Sequence, residues 1–195
     1  MDFELGTDIV SITRIARVTS KFGISFLERF LLPNEILLTR KDKEKFHIQA
    51  QFLCDIDSNQ DNSNALVLQP YYIYNKKHTK ICMPNFFTQE YLDKYIEKTS
   101  HILQDFRKNF SLNTYRIETI AGFWATKEAC AKALGVGIGK ALRFHDICII
   151  KDKNGKPHIA LRESKWHSFG LQKISVSISH DTQMAISVCA TTLRS

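Results

Sequence analysis

Asp8, Glu128 and Lys132 combine the residue types that charge-driven chemistry needs. Glu128 and Lys132 stand four apart in a stretch with helical spacing, so they share one side of a helix. Counted at 100° per residue from Ile117, the residues Ala121, Trp124, Glu128 and Ala131 fall within about 40° of one line. That places a carboxylate in the middle of an apolar stripe. A carboxylate aimed at a core is costly unless a cation, a metal or several donors meet it. The bland reading is a simple i,i+4 pair, worth on the order of a few tenths of a kcal/mol. The sharper reading adds Asp8, an acid at the end of a strand, as a second ligand for a shared metal. Two carboxylates without a histidine cage suit a hard ion that keeps water and phosphate oxygens, Mg2+ above all.

Two further features are compatible with phosphate chemistry. The run Gly135-Val136-Gly137-Ile138-Gly139-Lys140 lets a backbone approach a phosphate closely, with a lysine at hand. It lacks the spacing of a Walker loop, and a helix-to-strand turn explains it equally well. His180 follows a strand and precedes a tight turn, where a lone histidine is more often structural or merely exposed.

The elements that must position these groups follow from periodicity. Phe3 to Val10 reads as a strand that runs into polar groups. Ile12, Ile15, Thr19 and Phe22 then share one helical face, with Gly23 as a stop, and Arg14, Arg17 and Lys21 form a basic stripe on another side. Residues 25–40 read as helix in two pieces, with Pro33 in a first turn. Residues 55–64 are rich in Asn and Asp and almost free of apolar anchors, which predicts a loop; a calcium loop is dismissed, because the turn glycine and closing glutamate are absent. Tyr71 to Met83 predicts a hairpin, and 88–110 a helix with Tyr91, Leu92, Tyr95, Ile96, Ile102, Leu103 and Phe106 on one face. Tyr115 to Leu134 is the strongest helix, stopped by Gly135. A strand over 147–150, an Asn154-Gly155 turn with a return strand near His158, and two strands over 174–179 and 184–190 complete the chain. The sum is an α+β domain, a small antiparallel sheet with helices on one side.

With 195 residues, 44% hydrophobic and 24% charged, the chain suits one domain. No apolar run nears the ~20 residues that cross a bilayer, so no membrane role is expected. Cys54, Cys82, Cys130, Cys148 and Cys189 are odd in number and widely spaced, with no C-x-x-C. They predict free thiols in a reducing, cytoplasmic setting, or in a plastid-type organelle if an N-terminal extension has been removed. The net charge is +7; residues 41–115 hold ten Lys/Arg and nine Asp/Glu, so nearly all of the excess lies elsewhere. Such a surface favours an acidic partner without choosing among nucleic acid, lipid and protein.

Gly6-Thr7-Asp8-Ile9-Val10, with Ile12 and Arg14-Ile15, resembles the opening of the holo-acyl-carrier-protein synthases. Residues 121–139, from Ala121-Gly122-Phe123-Trp124 through Lys127-Glu128 to Gly137-Ile138-Gly139, resemble that family's main signature. Phe144-His145-Asp146-Ile147 with Asn154-Gly155-Lys156-Pro157, and then Val176-Ser177-Ile178-Ser179-His180, complete the order. Each piece is moderately specific; four in one order are highly specific. The resemblance covers roughly residues 3–40 and 115–193, leaving about 41–114 as an insertion within a single domain. It implies a phosphopantetheinyl-transferase fold and transfer of 4'-phosphopantetheine from coenzyme A to a serine of acyl carrier protein, in fatty acid biosynthesis. By the same resemblance, Asp8 and Glu128 bind Mg2+, Lys132 neutralises phosphate, and His180, with Gly137 and Gly139, lies near the coenzyme. Arg14 and Arg29 meet acidic residues of the carrier protein, and the molecule is a homotrimer with sites between subunits.

Two residues depart from the family pattern. Phe123 stands where an arginine is common, and Asp181 where a threonine often follows the histidine. Two other functions compete. A non-catalytic carrier-protein-binding relative would not need the metal pair. A nucleic-acid-binding module should interleave aromatic residues with its basic stripe, and Phe22, the one aromatic of the first helix, is assigned to the apolar face.

Overall fold

The computed structural model describes residues 2–42, 71–74, 80–83, 86–151 and 155–193. In chain order the elements are β1 (Asp2–Ser11), α1 (Ile12–Phe22), α2 (Ile24–Leu27), α3 (Pro33–Leu38), β2 (Tyr71–Tyr74), β3 (Lys80–Met83), β4 (Phe86–Phe87), α4 (Gln89–Lys108), α5 (Ile117–Ala133), β5 (Ile147–Lys151), β6 (Pro157–Arg162), α6 (Glu163–Ser168), β7 (Leu171–His180) and β8 (Met184–Leu193). The expected α+β class holds, but the strands among the described residues form three sheets rather than one: β1-β8-β7, β2-β3 and β4-β6-β5. The first two are antiparallel, while β4 pairs with β6 in parallel. A two-residue strand carries no readable alternation, which is why periodicity passed over it. Asn75 to His78, Asn154 and the loop over 55–64 lie outside the described residues.

In the β1-β8-β7 sheet the side chains alternate as a half-covered sheet requires. Gly6, Val10, Ala185, Ser187, Cys189 and Ile174 are buried beneath α5. On the opposite face Phe3, Leu5, Ile9, Ile186 and Val188 are exposed. Helix α5 is buried along most of its surface, with Ile120, Ala121, Ala125, Ala129 and Ala131 fully enclosed. Small residues let it lie close to the sheet. A Cβ on Gly122 would come within 2.8 Å of the Ile178 side chain. Gly135, at φ 67, turns the chain out of α5 at no steric cost.

Ser11 caps α1 through its side chain, which accepts from the Arg14 N–H, and Gly23 at φ 59 ends the helix. Ile15 and Thr19 are buried as expected, but Phe22 is half exposed, with the Lys21 ammonium 5.1 Å from its ring centre. The reversal at Gly23 brings Ile24 into the core in its place. In α4, Leu103 and Phe106 are buried whereas Ile96 is exposed. The side chains of Tyr91, Leu92 and Tyr95 lie outside the described set. Arg40 and Tyr115 form an antiparallel bridge, and Lys41 N–H donates to Thr114 at 2.9 Å while Arg116 N–H donates to Thr39 at 2.8 Å. The Arg40 guanidinium lies 4.0 Å from the Phe106 ring centre and grips Asp42 through two hydrogen bonds. Cys130, Cys148 and Cys189 are free and buried; among the described residues no helix is long and apolar enough to cross a membrane.

Candidate active site

Asp8, Glu128 and Lys132 meet where β1 passes across α5. Gly6 sets the approach: a Cβ there would lie 2.1 Å from the Ala129 carbonyl oxygen and 2.4 Å from the Ala133 nitrogen. Two residues further along the same face of β1, Asp8 points toward the helix. Lys132 Nζ donates to Asp8 Oδ1 at 2.8 Å. Glu128, one turn before Lys132, has its carboxyl pushed above the ordinary range by burial and then by the negative charge of Asp8, against the pull of Lys132. Asp8 thus holds the ammonium directly, while Glu128, half-buried beside it, feels both charges. Such an excess of negative charge fits a divalent cation whose other ligands are water and phosphate oxygens. Among the described residues no cluster of three or more His, Cys, Asp or Glu side chains forms a metal cage.

The helical-wheel expectation for Glu128 needs correction. The line through Ile117, Trp124 and Glu128 is only partly buried and Lys132 is exposed, so it is the more open side of α5, not its core side. The charged side chain that enters the core is the adjacent Lys127, fully enclosed, as is its partner Glu35 on α3. Lys127 Nζ donates to Glu35 Oε2 at 2.7 Å, to the Phe30 carbonyl at 2.7 Å and to the Phe144 carbonyl at 3.0 Å. Glu35 also accepts the Leu32 N–H at 2.6 Å and the Ile149 N–H at 2.7 Å. Glu35 two residues after Pro33 was a legible helix-start signal; its pairing with a lysine 92 residues away was not.

His180 sits apart from the acids, at the end of β7. It lines a small open groove of about 100 Å³ with Glu118, Gly122, Phe123, Lys151 and Ile178. Phe123 is buried, and the Lys151 ammonium stands 5.4 Å from its ring centre. Lys151, at the end of β5 and outside the sequence-read strand, thus brings a cation to the ring at the departure position. Asp181 turns inward on its own backbone: Oδ1 accepts the Gln183 N–H at 2.7 Å and the Met184 N–H at 2.9 Å. Those bonds hold its carboxyl below the ordinary range. Gly137 and Gly139 lie in the exposed turn after α5 with open space where a Cβ would stand. Arg14 on α1 and Arg29 in the turn after α2 are both exposed.

A sequence model of the 4'-phosphopantetheinyl transferase superfamily matches residues 78–189, which include Glu128, Lys132 and His180. The holo-[acyl-carrier-protein] synthase of Helicobacter acinonychis (strain Sheeba) is 34% identical over 184 residues, spanning 94% of this chain and 96% of that one. This chain belongs to the holo-[acyl-carrier-protein] synthase family. The crystal structure of the Helicobacter pylori synthase in complex with coenzyme A has 31% identity and a TM-score of 0.56, covering 96% of this chain and 99% of that one. The synthase of Neisseria meningitidis, at 23% identity and a TM-score of 0.53, shares the fold over 97% of each chain. Holo-[acyl-carrier-protein] synthases are 4'-phosphopantetheinyl transferases, and the α+β fold expected from the sequence is theirs.

Proposed function

We propose that this synthase uses Asp8 and Glu128 to hold Mg2+ against the pyrophosphate of coenzyme A, with Lys132 as the fixed cation beside them. The observation that carries this reading is the Lys132–Asp8 ion pair at 2.8 Å, with Glu128 held above its ordinary range by burial and by the Asp8 charge. The carrier-protein serine oxygen forms a bond to the phosphorus that bears the pantetheine. The P–O bond to the other phosphate breaks, 3',5'-ADP leaves, and the serine proton passes to water or a nearby carboxylate. Bound Mg2+ supplies Lewis-acid charge to the pyrophosphate. Lys132 offsets the remaining phosphate charge, and positioning accounts for much of the rate.

In this reading His180 and Lys151, which line the groove between α5 and β7, are the donors for the phosphates of the coenzyme's adenosine end, beside the Phe123 ring. The open space at Gly137 and Gly139 leaves the turn after α5 free for close approach by the same ligand. Arg14 and Arg29 form an exposed basic surface for an acidic carrier protein. The bare apolar face of β1 and β8, with Phe3 and Leu5 more than half exposed, supports a homotrimer in which neighbouring copies cover it. This reading favours coenzyme A and an acyl carrier protein over nucleic acid or membrane as partners, although the exposed Phe22 withdraws one of the sequence arguments against nucleic acid.

Mass spectrometry of apo-carrier protein incubated with coenzyme A tests the reading. A gain of one phosphopantetheine that needs Mg2+ and vanishes with chelator, and with Asp8→Ala or Glu128→Ala in folded protein, is the expected result. Transfer that survives either substitution undamaged overturns the metal assignment.

A further inference from the structure

The fully enclosed Glu35–Lys127 pair is not an isolated salt bridge. All three protons of the Lys127 ammonium are used, on Glu35, Phe30 and Phe144, and Glu35 takes two backbone N–H groups besides. Five chain segments therefore converge on one point: the turn after α2, the start of α3, the turn over Phe144–Asp146, strand β5 and helix α5. Two buried charges are expensive to desolvate, and apolar residues of similar volume serve a core as well or better. The cost is not explained by packing.

Its place in the sequence suggests what it is for. Lys127 immediately precedes Glu128, so a fixed Lys127 fixes the rotation of α5 about its axis at that residue. Phe30, whose carbonyl Lys127 holds, immediately follows Arg29. Around the pair, Trp124 packs against Phe30 at 4.9 Å and Phe144 at 5.0 Å between ring centres, so the same turn of α5 is gripped from outside as well.

We propose that Lys127 and Glu35 are positioning residues of the transfer reaction, setting the angle of α5 so that Glu128 faces Asp8. This rests on the assignment of Asp8 and Glu128 as the Mg2+ ligands.

The test uses Lys127→Met and the milder Glu35→Gln in the full chain, each checked for folding by circular dichroism below its melting temperature. Calorimetric titration of Mg2+ into the coenzyme A complex reads the site without turnover. The expected result is a Mg2+ dissociation constant raised at least about tenfold, as for lost outer support of a metal ligand. The kcat should fall with it and recover in part when Mg2+ is raised. A folded variant with wild-type Mg2+ affinity and kcat overturns the proposal, as does failure of both variants to fold, since the pair would then serve the fold alone. Wild-type protein that binds no Mg2+ overturns the metal assignment itself, a different outcome from either.

Discussion

A methyl group on Gly6 would stand 2.1 Å from the Ala129 carbonyl oxygen, closer than any real contact, and the obstructing atoms are helix backbone. The first glycine of the opening motif is thus a spacing device, and it brings Asp8 within reach of Lys132. Gly6→Ala must push β1 away from α5, at about 1–3 kcal/mol for overpacking. The melting temperature should fall by several degrees. Displacement of Asp8 by even about 1 Å should cost roughly 100-fold in kcat. Calorimetry with a transfer assay reads both, and wild-type kcat would show that this spacing does not set the site.

The exposed arginines lead to a separate expectation. Arg14→Glu combined with Arg29→Glu should raise KM for carrier protein far more than KM for coenzyme A. Added salt should weaken carrier-protein binding by the wild type in the same direction, since exposed charges are screened over about 8 Å at physiological ionic strength. An unchanged carrier-protein KM would make these residues an ordinary solvated face.

Replacing 55–64 by a short Gly/Ser linker should leave folding and transfer nearly intact, because that stretch is too polar to contribute a core. Removing 41–113 should behave differently. It strips away Phe87, Leu103 and Phe106, which are buried against the rest of the protein, and the Arg107–Glu28 ion pair at 2.6 Å. Light scattering should then report association through uncovered apolar surface. Loss of transfer in a folded, normally assembled linker variant would bring the loop into the site.

Asp181 gives a pH signature. Its carboxyl lies below the ordinary range because backbone N–H groups of Met184 and Gln183 bind the charged form. A depressed carboxyl stabilises the fold above the unfolded-state value, near pH 4, and that contribution is lost as pH falls through the lower folded-state value. Asp181→Ala should therefore melt slightly earlier than wild type at pH 7, with the gap closing toward pH 3. A gap that stays constant with pH would mean that the charge is irrelevant to the turn.

The order of elements was readable because each carries its own local signal. Gly23 and Gly135 end helices, Pro33 opens one, and β7 and β8 alternate cleanly. Of the candidate site, motif order brought Asp8 and Lys132 to one place before their contact was known. The facing of α5 was not readable. A helix enclosed by small residues on most sides has no single apolar stripe, so angular arithmetic from Ile117 chose its more open line and sent Glu128 inward in place of Lys127. The Lys127–Glu35 pair depends on a tertiary contact that no window of sequence contains.

The bridge between Arg40 and Tyr115 brings the two ends of the segment between them together at one spot. To the residues around Asp8 and Glu128, whatever runs between those two points is a closed excursion. Closure entropy grows only logarithmically, so doubling the length of such an excursion costs about 0.6 kcal/mol. Arg40 and Tyr115 thus form a natural junction, between which an engineer can seat a reporter domain without resetting the distance between β1 and α5.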